Sequence, residues 1–376
     1  MPDINTLPVP EVGRRPRGAV RINGTLIPKW ESWEVDNNAY RAADTFRVTY
    51  PVNALPPDHD INWFSRQTSV DCEIFSVTDP ADPDAWVPQE SERRILGATD
   101  DIEYDPLSGV LILTGRDWTA KLIDTKVTES FLNKPASFVA TTFAQRHGMT
   151  PVVTATSTPI GTYYTQNFVS LTQERSEWDI LCELARFENF DVFVTGKKLH
   201  FQPKPEPSEA RYSLVWIPPS ETIGWPEMNV TNIRFYRSLT IAKGVVVTVR
   251  SWHGKHKRAY SASWPKDVRA TKPGQSGAAD PLRYWFSVPN KTQDEAYKIA
   301  KARYDEIVRH MVRIEADLPG DDLLDASMVV QVRGTGTSWD QDYYPDSVKR
   351  SMSVEEGYRM TVGAKNISQD VETATQ

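Results

Sequence analysis

The chain has 376 residues, which is enough for two or three domains whose cores fold without disulfides or bound metals. Its 43 lysine and arginine residues are outnumbered by 50 aspartate and glutamate residues, and the net charge of −7 argues against a protein that binds nucleic acid by neutralising phosphates. No run approaches the ~18 apolar residues of a membrane span, and residues 1–17 lack the apolar segment of a secretion signal. We therefore expect no membrane insertion, no secretion, and synthesis and assembly in the cytoplasm.

The two cysteines are predicted to be structural. Cys72 and Cys182 each stand in an apolar context, and no C-x-x-C or Cys/His spacing indicates a metal site. We expect both to be buried thiols in a reducing compartment.

The chain is predicted to begin with a mobile arm and a β domain. Residues 1–17 contain four prolines and three arginines without apolar periodicity, which favours a mobile arm. Residues 18–118 alternate with a period of two and contain the tight-turn pair Asn23-Gly24, which predicts an antiparallel barrel or sandwich. Residues 79–88 are rich in proline and aspartate and should form an exposed loop. The predicted strands are 19–22, 33–35, 45–50, 70–77, 93–104 and 110–114.

Residues 119–207 are predicted to form a small α+β domain, because the apolar period changes from two to 3.6. Its first helix covers 135–147, with Asn133 as the expected cap, Pro135 in the first turn and Gly148 at the C-terminal end. The apolar face of this helix is predicted to consist of Phe138, Val139, Thr142 and Phe143.

A second helix of this domain is predicted to start at Ser176. Ser176 and Asp179 have the S-x-x-D spacing of a capping box. The predicted apolar face is Trp178, Leu181, Cys182 and Ala185. The predicted opposite face is Glu177, Glu183, Arg186 and Glu188.

A β-hairpin should follow this helix. Asn189 is expected to end the helix in the left-handed conformation. The β-prone runs 190–194 and 199–201 are separated by residues 195–198, which predicts a four-residue hairpin loop.

Residues 208–367 are predicted to form a second β domain. The segment 265–289 lacks apolar content and should be an exposed loop. A Thr-x-x-Glu capping box and an apolar stripe predict an inserted helix over 292–312. The polar tail 368–376 should fray. The predicted strands are 230–238, 244–251, 312–316, 328–333, 343–352 and 357–364.

The most enzyme-like cluster is WHGKHKR at 252–258, with two histidines and three cations in seven residues. A metal site at His253 and His256 would need a third ligand and a rigid backbone, and the sequence indicates neither. As a phosphate or nucleic-acid patch, the cluster has positive charge and an aromatic neighbour. A solvated turn at a strand end is the favoured interpretation, since charge clusters are usually exposed.

The other chemical motifs are also better explained by structure. Gly334-Thr335-Gly336 lacks the third glycine and the following helix of a dinucleotide-binding turn. Asp100-Asp101 and Asp321-Asp322 are paired carboxylates of the kind used in glycoside hydrolysis or cation binding, but adjacent aspartates point in different directions on a strand and are common in turns. Arg116-Asp117 is predicted to be a salt-bridged or turn-capping pair. We predict no catalytic, cofactor-binding or metal-binding residue, no cofactor, and no enzyme.

The twelve tryptophans allow a carbohydrate-binding interpretation, in which exposed rings stack on sugars. Most of them stand in β-alternating runs or on an apolar helix face, as Trp178 does. Core and interface packing is therefore the simpler explanation.

Four features follow one another along the middle of the chain. They are GRDWTAKLID at 115–124, the helix over 135–147 ending in His147-Gly148, a Thr/Gln-rich stretch, and the helix and hairpin within 170–202. Their order, over residues 18–367, resembles the baseplate hub proteins of contractile-tailed phages, in particular the Mu-type hub and the related late control D-type tail proteins. The resemblance implies a fold that is α+β and mainly β, with two tail-tube-like antiparallel β-barrel domains and the small α+β unit between them.

The same resemblance implies a structural baseplate hub in the virion tail. Three subunits would place six barrels in a ring that adapts the sixfold tail tube to the threefold central spike and leaves a channel for DNA. The implied partners are two further copies in a homotrimer, the spike protein, the tail tube and other baseplate proteins, with the tape measure protein as a further candidate; stable nucleic-acid binding is not expected. A tail-associated peptidoglycan hydrolase and a glycan-binding adhesin are the alternatives.

Overall fold

The computed structural model describes residues 14–38, 42–127, 131, 134–157, 175–188, 190–203, 211–219, 224–239, 245–254, 256–265, 282–308, 312–326 and 328–366. The predicted caps Asn133 and Asn189, residues 1–13 of the predicted arm and the predicted tail 368–376 lie outside these residues.

The fold is α+β and mainly β, which confirms the predicted class. The strands are β1 (Arg17–Ile22), β2 (Thr25–Leu26), β3 (Ser32–Asn38), β4 (Thr45–Pro51), β5 (Asp71–Val77), β6 (Arg93–Asp105), β7 (Val110–Asp117), β8 (Lys126–Val127), β9 (Thr150–Val153), β10 (Arg175–Ser176), β11 (Phe190–Thr195), β12 (Lys198–Pro203), β13 (Arg211–Ile217), β14 (Glu227–Met228), β15 (Asn232–Arg237), β16 (Val245–His253), β17 (Arg258–Trp264), β18 (Leu282–Ser287), β19 (Val312–Pro319), β20 (Val329–Arg333), β21 (Asp342–Ser353) and β22 (Gly357–Lys365). The described helices are α1 (Ile61–Phe64), α2 (Thr119–Asp124), α3 (Ala136–Arg146), α4 (Glu177–Glu188) and α5 (Gln293–Val308).

The first β-rich part of the chain follows the predicted alternation. Strands β2-β1-β5-β6-β7-β4-β3 pair antiparallel in that order. In β4 the side chains of Phe46, Val48 and Tyr50 are buried while Thr45 and Arg47 are exposed, because successive side chains of a strand point to opposite faces. The inward side chains form one core, whose largest members include Trp33, Tyr50, Phe64, Ile74, Leu111 and Leu113.

The predicted tight turn at Asn23-Gly24 is confirmed. Both residues have positive φ, 46° and 83°, as the commonest two-residue hairpin turn requires. The Asn23 side-chain oxygen also accepts a hydrogen bond of 2.8 Å from the Asp71 backbone N–H. The turn therefore fixes β1 and β2 against the start of β5.

Pairing of β3 with β21 joins the two β-rich parts into one sheet of fourteen strands. On the far side of this junction β21 pairs with β20 and β22, and the sheet continues through β13 to β14 and through β19 to β15. Met352 lies opposite Trp33 in the register. The Tyr358 ring is tilted by 53° against the Trp33 ring, with the two ring centroids 5.9 Å apart. The hairpin formed by β21 and β22 thus completes the core of the first β-rich part.

Helices α2, α3 and α4 and the three-stranded sheet β11-β12-β9 form the small α+β unit between these parts. The predicted capping box at its second helix is confirmed: the Ser176 hydroxyl accepts from the Asp179 N–H at 3.0 Å, and the Asp179 carboxylate accepts from the Ser176 N–H at 3.3 Å. Trp178 and Cys182 are buried in the core of the unit, as predicted.

Strands β17-β16-β18 form a separate sheet that packs on α5. The sequence placed β16 and the inserted helix within the second β domain, whereas the structure gives them a sheet and a core of their own. The helix starts with the predicted capping box, since the Glu295 carboxylate accepts from the backbone N–H and hydroxyl of Thr292, both at 2.8 Å. The boundaries 18–118, 119–207 and 208–367 remain predictions.

Several local predictions were wrong. Phe138, predicted on the apolar face of α3, is 44% exposed, because the buried face of this helix is turned toward Ala140 and Ala144. The hairpin after α4 has a two-residue turn at Gly196-Lys197 instead of a four-residue loop, because Thr195 pairs with Lys198 and Gly196 accepts φ 57°. Part of the predicted loop 265–289 is strand β18. Its apolar Leu282, Tyr284 and Phe286 alternate with Arg283 and Trp285, a six-residue signal that the surrounding polar sequence obscured. No helix among the described residues has the length and apolar content to cross a bilayer.

Candidate assembly surfaces

Arg116 forms salt bridges and Asp117 caps a turn, as predicted, but the two residues do not pair with each other. The Arg116 guanidinium donates to Asp100 at 2.7 and 3.0 Å and to Asp124 at 3.3 and 3.0 Å, which ties β6, β7 and α2 together. The Asp117 carboxylate accepts from the backbone N–H and the hydroxyl of Thr119 at 3.2 and 2.8 Å. Both residues therefore stabilise the passage from β7 to α2.

The Asp117 carboxyl is buried, and burial disfavours its charged form. Burial, followed by the charge of Asp44, raises the pKa of Asp117 to about 8. Burial likewise raises the pKa of Asp44 to about 6. The Asp117 backbone N–H donates to the Asp44 carbonyl at 2.9 Å, so the two residues are adjacent. Folding consequently favours the protonated carboxyl of Asp117.

We expect Asp117→Asn to remove part of the pH dependence of stability. Between the unfolded pKa of about 3.9 and the folded value of about 8, the native state holds a proton that the unfolded chain releases. Wild-type stability therefore falls as pH rises through this window, by at most about 1.4 kcal/mol per pH unit, whereas the asparagine does not titrate. Urea unfolding at a series of pH values measures this difference. Glu355→Gln, at an exposed carboxylate in the turn between β21 and β22, is the control. Parallel curves for wild type and Asp117→Asn would contradict the expectation.

The predicted pair Asp321-Asp322 lies after β19 and links the two β-rich parts. Asp322 forms an ion pair with Arg94 at 3.1 Å. Its carboxylate accepts hydrogen bonds of 2.7–3.0 Å from three hydroxyl groups, those of Ser76, Thr78 and Tyr358. Arg350, which is 3% exposed, donates to the Asp321 carbonyl at 2.9 Å. The structural interpretation of this pair agrees with these contacts.

Glu177 was wrongly predicted to lie on the solvent face of its helix. Its side chain is fully buried, with its carboxylate 2.5 Å from Arg146 Nη1 and 2.6 Å from His147 Nε2. The carboxylate stands at the start of α4, where the helix dipole favours an anion, and faces two side chains at the end of α3. Amphipathic periodicity cannot detect such a contact, because it depends on the packing of α3 against α4.

In the WHGKHKR segment, Gly254, His256 and Lys257 lie between β16 and β17, as predicted for a turn at a strand end, but His253 is buried. The His256 ring stacks on the His253 ring with centroids 3.9 Å apart and planes inclined by 9°. The His253 Nδ1 accepts the His256 backbone N–H at 3.2 Å, which fixes the tautomer of His253. Among the described residues, no three His, Cys, Asp or Glu side chains lie close enough to hold a metal.

A cleft of about 440 Å³ lies beside the edge strands β14 and β15. The loop that contains Gly334-Thr335-Gly336 forms one wall, as a loop between β20 and β21. The lining residues are Trp216, Met228, Val230, Thr231, Asn232, Ile233, Phe235, Thr335, Thr337 and Trp339. This set contains no carboxylate, imidazole, thiol or amine, so the cleft offers no general acid, general base or activated nucleophile.

The outer part of the β6–β7 hairpin, residues 100–109, is exposed and acidic, and we name it the acidic hairpin. Residues 100–105 of β6 pair only with β7 within the described chain, so their other edge is open. Tyr104 is 45% exposed and Leu107, at the tip, is 98% exposed. An open edge with apolar side chains is a surface that proteins usually cover with a partner.

The face of the β17-β16-β18 sheet opposite α5 carries Arg250, Trp252, Arg283 and Trp285, and we name these four residues the aromatic–basic face. Trp252 and Trp285 are 60% and 55% exposed. The Arg250 guanidinium lies 4.2 Å from the centroid of the Trp285 ring. Tryptophan and arginine are among the residues most enriched at the centres of protein interfaces.

The tryptophans are divided between core and surface. Trp33, Trp118 and Trp178 are buried, as the packing interpretation predicts. Trp225 is 74% exposed, and two others lie on the aromatic–basic face. Packing therefore accounts for only part of the set.

The fold is shared with tail proteins of known structure. The tail protein from Neisseria meningitidis MC58 is 13% identical, with 94% of this chain and 97% of that chain covered and a TM-score of 0.64. The 43 kDa tail protein of prophage MuSo2 from Shewanella oneidensis is 15% identical, with 93% and 98% covered and a TM-score of 0.64. Prophage tail protein gp18 from Listeria monocytogenes EGD-e is 8% identical, with 95% and 96% covered and a TM-score of 0.53.

This chain has the fold of phage tail proteins over almost its whole length. An Escherichia coli component of the type VI secretion system, described as structurally similar to the T4 bacteriophage tail proteins gp27 and gp5, also matches at 11% identity, with 93% of this chain and 77% of that chain covered and a TM-score of 0.52. No protein-family model matches the sequence, and no curated protein matches it significantly.

Proposed function

We propose that this chain is the baseplate hub of a contractile phage tail or a phage-like tail. Three copies form a ring that adapts the sixfold tail tube to the threefold central spike and leaves a channel for DNA. The observation that carries the proposal is the β3–β21 pairing, which holds two β-rich parts side by side in one continuous sheet. Three such chains present six β-rich parts around one axis. The shared fold with phage tail proteins supports this role.

The partners follow from this position in the virion. The hub contacts two further copies, the central spike protein, the tail tube and other baseplate proteins, with the tape measure protein as a further candidate. Edge strands β2, β14 and β15 each pair on one side within the described chain, and open edges of this kind are covered by neighbours in soluble assemblies. The hub is assembled in the host cytoplasm, becomes part of the tail baseplate, and is not inserted in a membrane.

The proposed role is structural and not enzymatic. The cleft beside β14 and β15 has no acid–base group. Three of the four aspartates that suggested glycoside hydrolysis, Asp100, Asp321 and Asp322, serve as ion-pair or hydrogen-bond partners. Purified protein is expected to clear no peptidoglycan in a zymogram. A cleared band that co-migrates with the protein would favour the hydrolase instead.

A glycan-binding adhesin is the second candidate, because three tryptophans are exposed. Trp225, Trp252 and Trp285 offer ring faces of the kind that stack on sugars. Binding of the purified protein to surface glycans of a host cell, lost in variants of these tryptophans, would favour the adhesin. Binding to tube and spike proteins without glycan binding would favour the hub.

We expect the purified full chain to form a trimer of about 128 kDa, three times the 42.6 kDa of one chain. Light scattering over a wide range of concentrations measures this mass. A monomer mass at every concentration would contradict the ring.

A conduit for DNA should not retain DNA. We expect the channel wall to be neutral to acidic, because each cation facing a phosphate would add attraction and slow ejection. A mobility-shift titration with duplex DNA near physiological salt is expected to show no tight complex. Tight binding with a steep salt dependence would contradict the conduit and favour a nucleic-acid-binding role.

A further inference from the structure

Two exposed surfaces of the chain have opposite charge, and both include large apolar side chains. We propose that the acidic hairpin of one copy docks on the aromatic–basic face of the next copy, and that this repeated contact closes the ring. The inference rests on the proposed trimer and goes beyond it by naming the surfaces that meet.

The acidic hairpin has two carboxylates that the chain itself does not use. Asp100 is held by Arg116, and Asp105 accepts hydrogen bonds from its own turn at 2.7–3.3 Å. Asp101 and Glu103 are exposed and form no ion pair or side-chain hydrogen bond within the described chain. They alternate along β6 with the exposed Ile102 and Tyr104, so both faces of this edge strand are available.

The aromatic–basic face has the complementary charges. Strands β16, β17 and β18 contain three arginines and no aspartate or glutamate, in a chain whose net charge is −7. Arg250, Arg258 and Arg283 form no ion pair within the described residues. An arginine at an exposed site without a carboxylate is available to a partner, and its planar fork suits bidentate contact with a carboxylate.

The shape of the face suits an extended strand or hairpin. Ala259 and Ser261 on β17 stand opposite Trp252 and Arg250 on β16, and their small side chains share the outer face with the larger ones. The result is a shelf of small side chains beside a row of tryptophan and arginine. Leu107 and Tyr104 of the hairpin are the exposed apolar side chains that would cover Trp252 and Trp285.

A second copy fits these surfaces better than a nucleic acid does. The exposure of Leu107 and of Trp252 shows that the described chain covers neither surface itself. The two surfaces differ and lie in separate sheets, so their contact is heterologous, and a heterologous contact repeated about an axis produces a ring when the rotation closes. A basic aromatic surface also suits single-stranded nucleic acid, but Arg250 lies over Trp285, which reduces the ring area open to a base.

Charge reversal tests the pairing in the full-length protein. We expect Asp101→Lys with Glu103→Lys, and separately Arg250→Glu with Arg283→Glu, to raise the concentration needed for the trimer by about tenfold or more, since like charges then meet. The variant with all four changes should recover the trimer, because its reversed surfaces are again complementary. Light scattering over a concentration series measures the mass, and circular dichroism with thermal unfolding shows that each variant is folded.

A matched control reverses two cations elsewhere. Arg66→Glu with Lys198→Glu makes the same change in net charge as Arg250→Glu with Arg283→Glu, but at exposed residues outside both surfaces. This control should leave the trimer unchanged. If wild type is a monomer throughout, the proposed ring and this inference both fail. If wild type and both double variants are trimers at the same concentrations, the ring stands and the pairing is wrong.

Two further outcomes would also overturn the pairing. One is that the variant with all four substitutions stays dissociated although it is folded, which shows that the two surfaces do not meet each other. The other is binding of single-stranded or duplex DNA by wild type at physiological salt that Arg250→Glu with Arg283→Glu abolishes while the trimer persists. That result would assign the aromatic–basic face to nucleic acid.

Discussion

Trp178→Ala is expected to lower the free energy of unfolding of the small α+β unit by ~3–5 kcal/mol, the usual loss when a buried tryptophan is truncated. The Trp178 side chain is 6% exposed and belongs to the core that includes Leu181 and Ala185. Removing the ring leaves a cavity. Helix α4 cannot shift to close it, because it packs on α2, α3 and the β11-β12-β9 sheet. Urea unfolding followed by circular dichroism measures the change. Because the described residues contain separate cores, the affected transition is that of the α+β unit.

Trp225→Ala is the matched control for this prediction. Trp225 is 74% exposed, so its truncation should change stability by about 0.5 kcal/mol or less. An unchanged midpoint for Trp178→Ala would mean that the Trp178 ring is not part of the core. It would also strengthen the sugar-stacking alternative.

Asp322→Ala is expected to destabilise the junction between the two β-rich parts by about 3 kcal/mol, because breaking a buried ion pair leaves the other charge without its partner. The Arg94 and Asp322 side chains are 13% and 17% exposed, and three hydroxyl groups lose their acceptor as well. Urea unfolding at neutral pH measures the loss. Glu355→Ala, which removes an exposed carboxylate in the turn between β21 and β22, should cost about 0.5 kcal/mol or less.

The same pair makes the junction sensitive to acid. Burial raises the pKa of Asp322, but the Arg94 charge and the hydroxyl donors together outweigh burial and hold the pKa below its usual range. A lowered folded pKa means that the stabilisation is complete above the unfolded value of about 3.9 and is lost as pH falls through the folded value. The stability curves of wild type and Asp322→Ala should therefore converge in acid. A constant difference down to low pH would show that the charge of Asp322 does not matter.

Short-range patterns predicted most of the elements correctly. The alternation in β4 and the capping boxes at Ser176 and Thr292 depend on residues within a few positions of each other, and the structure confirms them. Strand β18 was missed because six residues in a polar context give a weak periodic signal.

Features that depend on distant contacts could not be predicted in this way. Glu177 has the same polarity as a solvent-facing residue, and only the packing of α3 on α4 shows that it is buried. The same holds for the acidic hairpin. Asp101 and Glu103 lie on an open edge because the pairing of β5 with β6 extends only to Ala98, and the sequence of β6 does not indicate how far β5 extends beside it. The pairing of β3 with β21 joins Ser32 to Ser353, and no local pattern indicates it.

That pairing also constrains how the protein is made. Strand β3 leaves the ribosome about 300 residues before β21, which at ~5–20 residues per second is a delay of roughly 15–60 s. During this interval the nascent chain has an unpaired β3 edge and a first core that lacks Met352 and Tyr358. A chain terminated before residue 342 would keep that edge permanently open, the condition that most favours aggregation of β proteins. Completion of the N-terminal core therefore waits until β21 and β22 have been translated, and chains that stop before residue 342 should accumulate as aggregates and not as soluble fragments.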